Sequence, residues 1–471
     1  MRRWLIVALI LWPLTSAVAS AQPNGFVPLF NGRNLDGWVV AGSPEGFAVV
    51  NGRMHSDGGK GGQWIHTASQ YANFVLRLEW MLSRVGNSGI FIRNDPTGAG
   101  FEVQLLAPWT PHRDDLHCTG SIYGHVPANP RPDETPLRWR RAEITAAYKR
   151  VTVKIDGVVC ADADYDQVPT MKDMPLAGYI GMQDSHTGAG EWVEFRTIEI
   201  KDLDQDPGFV AQGLASTDPA VRRVAYDAAV RLGPPMAATL LNLIGRGDAP
   251  TRHAAQAALE RVVANASAPG ASQEASAVRR DLLDRLCASG DNGAPDRACA
   301  AQMIGLIGQA DARTAGVLMN ALLEDGAVSA AALEAMQRIP GHAMTVALIE
   351  ALSQVRVSHQ PALLLALGAR RDDRALAALG DMARTRGGQV RLAAVRALGL
   401  LGSAKATPIL REVGAGAPQR VKKEAADALI SLLDAPGLND AARSAALDAA
   451  RELAVTQAPK AAATMPPLPA R

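Results

Sequence analysis

Two hydrophobic rhythms divide the chain. From Phe26 to Leu203 apolar and polar positions alternate in short runs broken by Gly, Pro, Asn and Asp. Phe74-Val75-Leu76-Arg77-Leu78-Glu79-Trp80 has the period of two expected of a half-buried strand, as does Arg150-Val151-Thr152-Val153-Lys154-Ile155. The second run meets Asp156-Gly157, a pair suited to a tight hairpin turn. Glu194 to Leu203 supplies a closing strand. Many short strands without a helical stretch predict an all-β jelly-roll sandwich over 22–203.

Beyond Asp206-Pro207 the rhythm changes. Apolar residues recur at i, i+3, i+4, i+7, i+8 and i+11, the stripe of an amphipathic helix. Val390, Ala393, Ala394, Ala397, Leu398 and Leu401 form the cleanest copy. Others begin at Val221, Thr251 and Val328, with weaker ones at Asp296, His359 and Val421. The spacing settles near about 31 residues, one helix pair per unit, and predicts an all-α solenoid over 209–456. One longer interval, from Thr251 to Asp296, is ascribed to a loop from Ala264 to Ala277. Residues 204–208 are expected as a linker, and 457–471, rich in Pro and Ala, as a disordered tail.

The aromatic residues sharpen this division: of 22 Trp, Tyr and Phe, only Tyr226 lies beyond Phe209. Lys and Arg number 48 against 47 Asp and Glu, a net charge of +1, so no general electrostatic attraction to nucleic acid is expected. Arg2-Arg3, the apolar run Trp4 to Leu14 and Ala19-Ser20-Ala21 have the form of a signal peptide over 1–21. A secreted, periplasmic protein that is not membrane-embedded is expected. The four cysteines, Cys118, Cys160, Cys287 and Cys299, form no CxxC motif. Cys287 and Cys299 are placed either for a disulfide across the turn Ser289 to Gly293 or for burial as free thiols.

Several motifs follow one another in the β region: Pro28-Leu29-Phe30-Asn31-Gly32, Leu35-Asp36-Gly37-Trp38, Asn87-Ser88-Gly89-Ile90-Phe91-Ile92-Arg93 and Glu102-Val103-Gln104-Leu105. Gly120-Ser121-Ile122-Tyr123-Gly124, Gly181-Met182-Gln183-Asp184 and Phe195 to Lys201 complete the series. Together, over about residues 26–203, they resemble the 3-keto-disaccharide hydrolase family, whose members resemble the concanavalin and laminarinase type of jelly roll. The Val-Arg-x-x-Ala-x-x-Ala-Leu wording of the helical part is similar to HEAT or HEAT-like PBS-lyase repeats. The first resemblance implies action on glycosides whose carbon 3 is a ketone. The ketone acidifies the carbon 2 proton, so a base can remove it and expel the glycosidic oxygen from carbon 1. Water then adds back, for net hydrolysis. Such a site needs a base, an acid and a stabiliser of the enolate.

Alternate residues of a strand share a face, so Glu102 points with Gln104, and Phe91 with Arg93. Glu102 and Asp184 are the candidate base and acid, in either order. Arg93 is the third catalytic candidate, either holding the enolate or pairing with Glu102. Asn87, Gln104, Tyr123, His125 and His186 are candidates for binding the sugar. Each has a structural alternative: a cross-strand ion pair for Glu102, turn chemistry for Asn87, a loop cap for Asp184, core packing for Tyr123. Six of nine histidines, His55, His66, His112, His117, His125 and His186, fall in this region without metal-ligand spacing. No cofactor is indicated, and a divalent metal is left open. The family commonly has Asp-His-Gly after the Gln, where this chain has Asp184-Ser185-His186-Thr187-Gly188, and Asn-Thr where it has Arg140-Arg141. The ExDxxE constellation of laminarinases is absent, which disfavours an ordinary retaining glycosidase. The alternative function is a noncatalytic carbohydrate-binding or protein-interaction module, with the solenoid as a surface for a protein partner.

Overall fold

A computed structural model describes residues 24–96, 100–110, 113–288 and 294–455. The expected signal segment, the tail 457–471, His112 and the turn Ser289 to Gly293 lie outside the described residues. The chain divides into two compact units at Ala228/Ala229.

In the first unit the strands are Val27–Pro28 (β1), Trp38–Ala41 (β2), Phe47–Val50 (β3), Arg53–Asp57 (β4), Trp64–Thr67 (β5), Phe74–Leu82 (β6) and Asn87–Asn94 (β7). They continue as Phe101–Leu106 (β8), Arg140–Ala147 (β9), Arg150–Ile155 (β10), Val158–Asp164 (β11), Tyr179–Gln183 (β12) and Trp192–Asp202 (β13). One sheet runs β11-β10-β9-β6-β13-β4-β3, with β1 also paired to β13, and the other β2-β5-β12-β7-β8. All pairings within the sheets are antiparallel. The expected all-β sandwich is therefore present. Strand β6 buries every second residue, Phe74, Leu76, Leu78, Trp80 and Leu82, as its alternation requires. These meet Ile90 and Ile92 of β7 and Phe101, Val103 and Leu105 of β8 in one core. At the β10–β11 turn Asp156 and Gly157 both have positive φ, 49° and 85°, which matches the twist of the hairpin.

The stretch expected as a linker is folded. Leu203–Gln205 forms a 3₁₀ turn whose buried Asp204 accepts a hydrogen bond from Asn73 Nδ2 at 2.8 Å. Asp206 then caps helix Pro207–Leu214 (α1) through the Gly208 and Phe209 amides. Phe209, last of the clustered aromatics, stacks on Tyr148 at 4.7 Å, and Lys149 pairs with Asp218 of the next turn. The first helix therefore packs on the sandwich, because its aromatic side chain completes that surface.

In the second unit α-helices follow in two layers, as a solenoid predicts. Among them Ala249–Ala266, Pro295–Ile307, Ala327–Arg338, Gln360–Ala369, Gly388–Leu401 and Gln419–Leu432 pack successively on one another. The stripes starting at Val328 and Val390 are buried at every position. At Gly368 an added Cβ would stand 2.5 Å from the Ala397 carbonyl, so the close approach of those two helices excludes any side chain there. Two expectations are corrected. The loop expected from Ala264 to Ala277 is mostly helix, since one helix runs to Ala266 and the next, Ser272–Cys287, begins soon after. Its Ala and Ser residues tolerate a helix, and a whole extra helical length accounts for the long interval. The four cysteines are free thiols: Cys299 faces the packed interior, whereas Cys287 ends its helix exposed, so the two point into different surroundings. No helix of the described residues is long and apolar enough to cross a membrane.

Candidate active site

The five-stranded sheet turns Ile65, Ile90, Ile92, Val103, Leu105, Ile180 and Met182 into the core. Alternation then places Trp64, His66, Asn87, Gly89, Phe91, Glu102, Gln104, Gly181 and Gln183 on its other face. The register aligns them: Gly89 lies opposite Gln104, Phe91 opposite Glu102, Gly181 opposite His66 and Gln183 opposite Trp64.

Two glycines make room on this face. A Cβ at Gly89 would stand 2.1 Å from Glu102 Oε1, and one at Gly181 would stand 2.4 Å from the Trp64 ring. Glu102 therefore lies across bare backbone. The Trp64 indole covers Gly181, with Phe91 at 5.3 Å edge-on and His66 at 4.7 Å. Tyr179 extends the cluster, 4.7 Å from His66.

Burial pushes the Glu102 carboxyl up to about 7, and no cation is placed beside it among the described residues. Asp184 is also buried, and burial raises it, offset in part by His186 and by the Gln63 backbone. The Asn87 amide links the two neighbourhoods. It lies 2.8 Å from His186 Nε2 and 3.2 Å from the Gln104 amide. With its nitrogen turned toward the surrounding oxygens, Gln104 donates to Glu102 Oε1 at 3.1 Å and to the Ser88 carbonyl at 3.1 Å. A polar row thus runs Glu102, Gln104, Asn87, His186 across two strands and the loop after β12. The side-chain oxygens of Gln183, Ser185 and Thr187, beside Asp184 and His186, are buried with no hydrogen-bonding partner among the described residues.

Tyr123 joins this row. Val103 bridges Ile122, and the Tyr123 amide donates to the Glu102 carbonyl at 2.9 Å, which sets Tyr123 across from Glu102 on the same face. Its side chain is 43% exposed, so it is not core packing.

Arg93 and His125 do not join. Arg93 has φ 55°, and the β7–β12 register shifts between Tyr179 and Gly181. This breaks the alternation and drives Arg93 to the opposite side from Phe91, fully buried. There its guanidinium donates to the Ala72 and Tyr148 carbonyls, the Tyr165 hydroxyl at 2.7 Å and Asn73 Oδ1. It meets neither Glu102 nor the polar row, so its place is that of an internal tie. His125 Nδ1 lies 2.8 Å from the Thr170 hydroxyl and its ring packs edge-on to Phe101, away from the row. Sequence reasoning missed Trp64, His66, Phe91, Tyr179 and Gln183. Only the adjacency of Gln183 and Gly181 to Asp184 hinted at them. Among the described residues no group of three or more His, Cys, Asp or Glu is placed to hold a metal ion.

An antiparallel sandwich bearing a buried acid on a sheet face, followed by a HEAT-like solenoid, defines the class of molecule. Residues 25–201 match the family of the 3-keto-alpha-glucoside-1,2-lyase-like domain, and residues 345–430 match HEAT repeats. The chain is similar to a 3-keto-disaccharide hydrolase of Bacteroides thetaiotaomicron, 24% identical over 235 residues, which covers 38% of this chain and 79% of that protein. Among solved structures it is similar to a candidate glycosyl hydrolase from Parabacteroides distasonis, at 23% identity and a TM-score of 0.34, covering 38% of this chain and 99% of that one. It is also similar to the carbohydrate-binding module CBM66 from Bacillus subtilis, at 14% identity and a TM-score of 0.26, covering 35% and 95%.

Proposed function

We propose that this protein is an exported enzyme that cleaves glycosidic bonds of 3-keto-glycosides by elimination across carbons 1 and 2 and rehydration. The observation that carries the reading is Glu102, a carboxyl pushed up to about 7 by burial, with no cation beside it among the described residues and steadied by Gln104. A base with that affinity is matched to proton transfer at neutral pH. Glu102 takes the carbon 2 proton, and the electron pair is held at the carbon 3 oxygen as an enolate. That pair returns to expel the carbon 1 oxygen, and Asp184, whose carboxyl burial keeps protonated to higher pH, supplies the leaving group with its proton. Water adds to carbon 1 of the enone, giving its proton to the Asp184 carboxylate, and Glu102, its own proton exchanged with solvent, gives a proton to carbon 2. Asn87, Gln104, Tyr123 and His186 bond the sugar hydroxyls. Export rests on the amino-terminal pattern of Arg2, Arg3 and the apolar run after them, and the solenoid offers a surface for a protein partner.

The test uses a chromogenic 3-keto-glucoside beside its unoxidised parent, in D₂O. Release of the aglycone from the keto substrate alone, with deuterium at carbon 2 of product sampled before free ketose exchanges unaided, is the expected result. Release from the unoxidised glucoside, or product without deuterium, would overturn the elimination route.

A further inference from the structure

Apart from the Tyr123 hydroxyl, the long connection between β8 and β9 contributes a structure that the proposed chemistry does not use. Among its described residues it has no regular element of its own, and it is more than thirty residues long, a length that in compact domains usually serves a function. Its parts are nevertheless firmly held. Arg113 pairs with Glu134, and Glu134 accepts from the Thr119 amide at 3.0 Å. Arg131 pairs with Asp115, and the Asn129 amide donates to the Cys160 carbonyl at 2.8 Å.

This loop presents two exposed aromatic side chains beside the polar row. Trp109 is 69% exposed, the most exposed large apolar side chain among the described residues. It occupies the third position of the turn Ala107 to Thr110, closed by the Thr110 amide donating to the Ala107 carbonyl at 3.2 Å. Pro108 at the second position stiffens that turn, and Arg113 donates to the Pro108 carbonyl at 3.0 Å. The Ala107 amide donates to Gly86, the residue before Asn87, at 3.0 Å, so the turn is fastened to the end of the row. Tyr123 stands at the other end, across from Glu102. Its ring is held edge-on by His117 at 4.5 Å, and His117 is fixed by Asp114 at 2.7 Å.

We propose that Trp109 and Tyr123 form a leaving-group subsite that stacks on the second sugar ring of a 3-keto-disaccharide or longer glycan. The inference rests on the proposed glycoside chemistry and names the part of the substrate beyond the reacting ring. Single exposed apolar side chains are ordinary. Here both rings are aromatic, the Trp109 backbone turn and the Tyr123 ring are each fastened, and the turn is tied to Gly86 beside Asn87 while Tyr123 lies across from the candidate base. A ring face with a polar rim suits a sugar, whose apolar C–H face stacks while its hydroxyls stay wet. The charges of the loop argue for a neutral occupant, since Arg113, Arg131 and His117 each have an acidic partner within it. A fixed backbone turn and a ring already held by His117 cost less ordering on binding, which makes each contact more effective.

The test compares a 3-keto-disaccharide with methyl 3-keto-glucoside, whose leaving group is too small to reach the loop. Trp109→Ala and Tyr123→Ala should each lower the preference for the disaccharide, read as the ratio of the two KM values, by about tenfold. That is equivalent to about 1.4 kcal/mol. Tyr123→Phe, which keeps the ring, should preserve the ratio. Equal change for both substrates, or none, overturns the subsite. A titration independent of turnover separates this proposal from the reading beneath it. Calorimetry with unoxidised trehalose and with methyl glucoside should show tighter binding of trehalose to the wild type and no advantage in Trp109→Ala. If the wild type turns over neither keto substrate, the reaction is wrong while the titration still decides the subsite. Equal binding of both sugars by the wild type refutes it.

Discussion

The two outer faces of the sandwich carry the same kinds of residue and treat them oppositely. On the larger sheet Glu143 lies between Arg77 and Lys154, each at 2.8 Å, and Glu79 meets Arg196 at 2.8 Å. Arg150 holds Asp162. Hydrogen bonds from these cations keep Glu143 and Asp162 below the usual carboxylate range. On the smaller sheet Glu102 and Asp184 are raised instead, by burial. The larger sheet also bears a groove of about 630 Å³ lined by Arg77, Arg141, Glu143, Lys154 and Asp156. Volume on the sandwich would point to that groove as the site. Its carboxylates, however, are already paired with cations, and Glu143, with its depressed affinity for protons, is a poor base at neutral pH. Pairing, not volume, separates framework charge from chemical charge in this molecule.

Substitution should break the two faces apart most visibly in turnover. Glu102→Gln should lower the rate on a 3-keto-glycoside by on the order of 10²–10⁴, the loss typical of a missing general base. A rate within a few-fold of wild type would move the chemistry elsewhere.

Much of this contrast was hidden from sequence. The sandwich and the solenoid were legible because burial imposes two different periods, two in Phe74–Leu82 and a helical stripe in Val390 to Leu401. The grouping of Glu102 with Gln104 followed from the same parity. The failure at Arg93 has the same origin: one residue at φ 55° reverses parity, and neither Ile92 nor Asn94 announces it. Trp64 and His66 escaped because all four residues of Trp64–Thr67 are buried, so no alternation marks a face. Ion pairing was equally hidden. Glu143 and Glu102 both look like outward acids in strands, and only the register places Arg77 opposite Glu143 while leaving Gly89 and Phe91 beside Glu102.

A smaller effect should appear in stability against pH. Native Glu102 titrates near 7, whereas an unfolded Glu titrates near about 4.3. Between these values the native state binds more protons than the unfolded state, so this residue makes stability fall as pH rises, with no further change above the native value. The full cost is on the order of 3–4 kcal/mol. Glu102→Gln removes it. The variant should therefore melt several degrees above wild type at pH 8 and lose that advantage near pH 4.5. A variant that melts lower than wild type at pH 8 would mean that Glu102 is a framework acid like Glu143.

The smallest effect belongs to the paired face. Glu143→Gln removes the charge between Arg77 and Lys154 without changing the shape of the side chain. Both cations are about one-third exposed or more, so water screens what is lost, and each such pair contributes roughly 0.2–1 kcal/mol. The sign of its pH dependence is opposite to that of Glu102. A native affinity for protons below the unfolded value stabilises the fold above the unfolded range and loses that contribution as pH falls. The variant should accordingly melt roughly 2–4 °C lower at pH 7. The difference should shrink in acid, as wild-type Glu143 becomes protonated, and in about 1 M salt, where the screening length falls to about 3 Å. Turnover of the 3-keto-glycoside should stay within twofold of wild type. A loss of turnover comparable to that of Glu102→Gln, with melting unchanged, would place the working carboxylate in the groove of the larger sheet and reverse the assignment of the two faces.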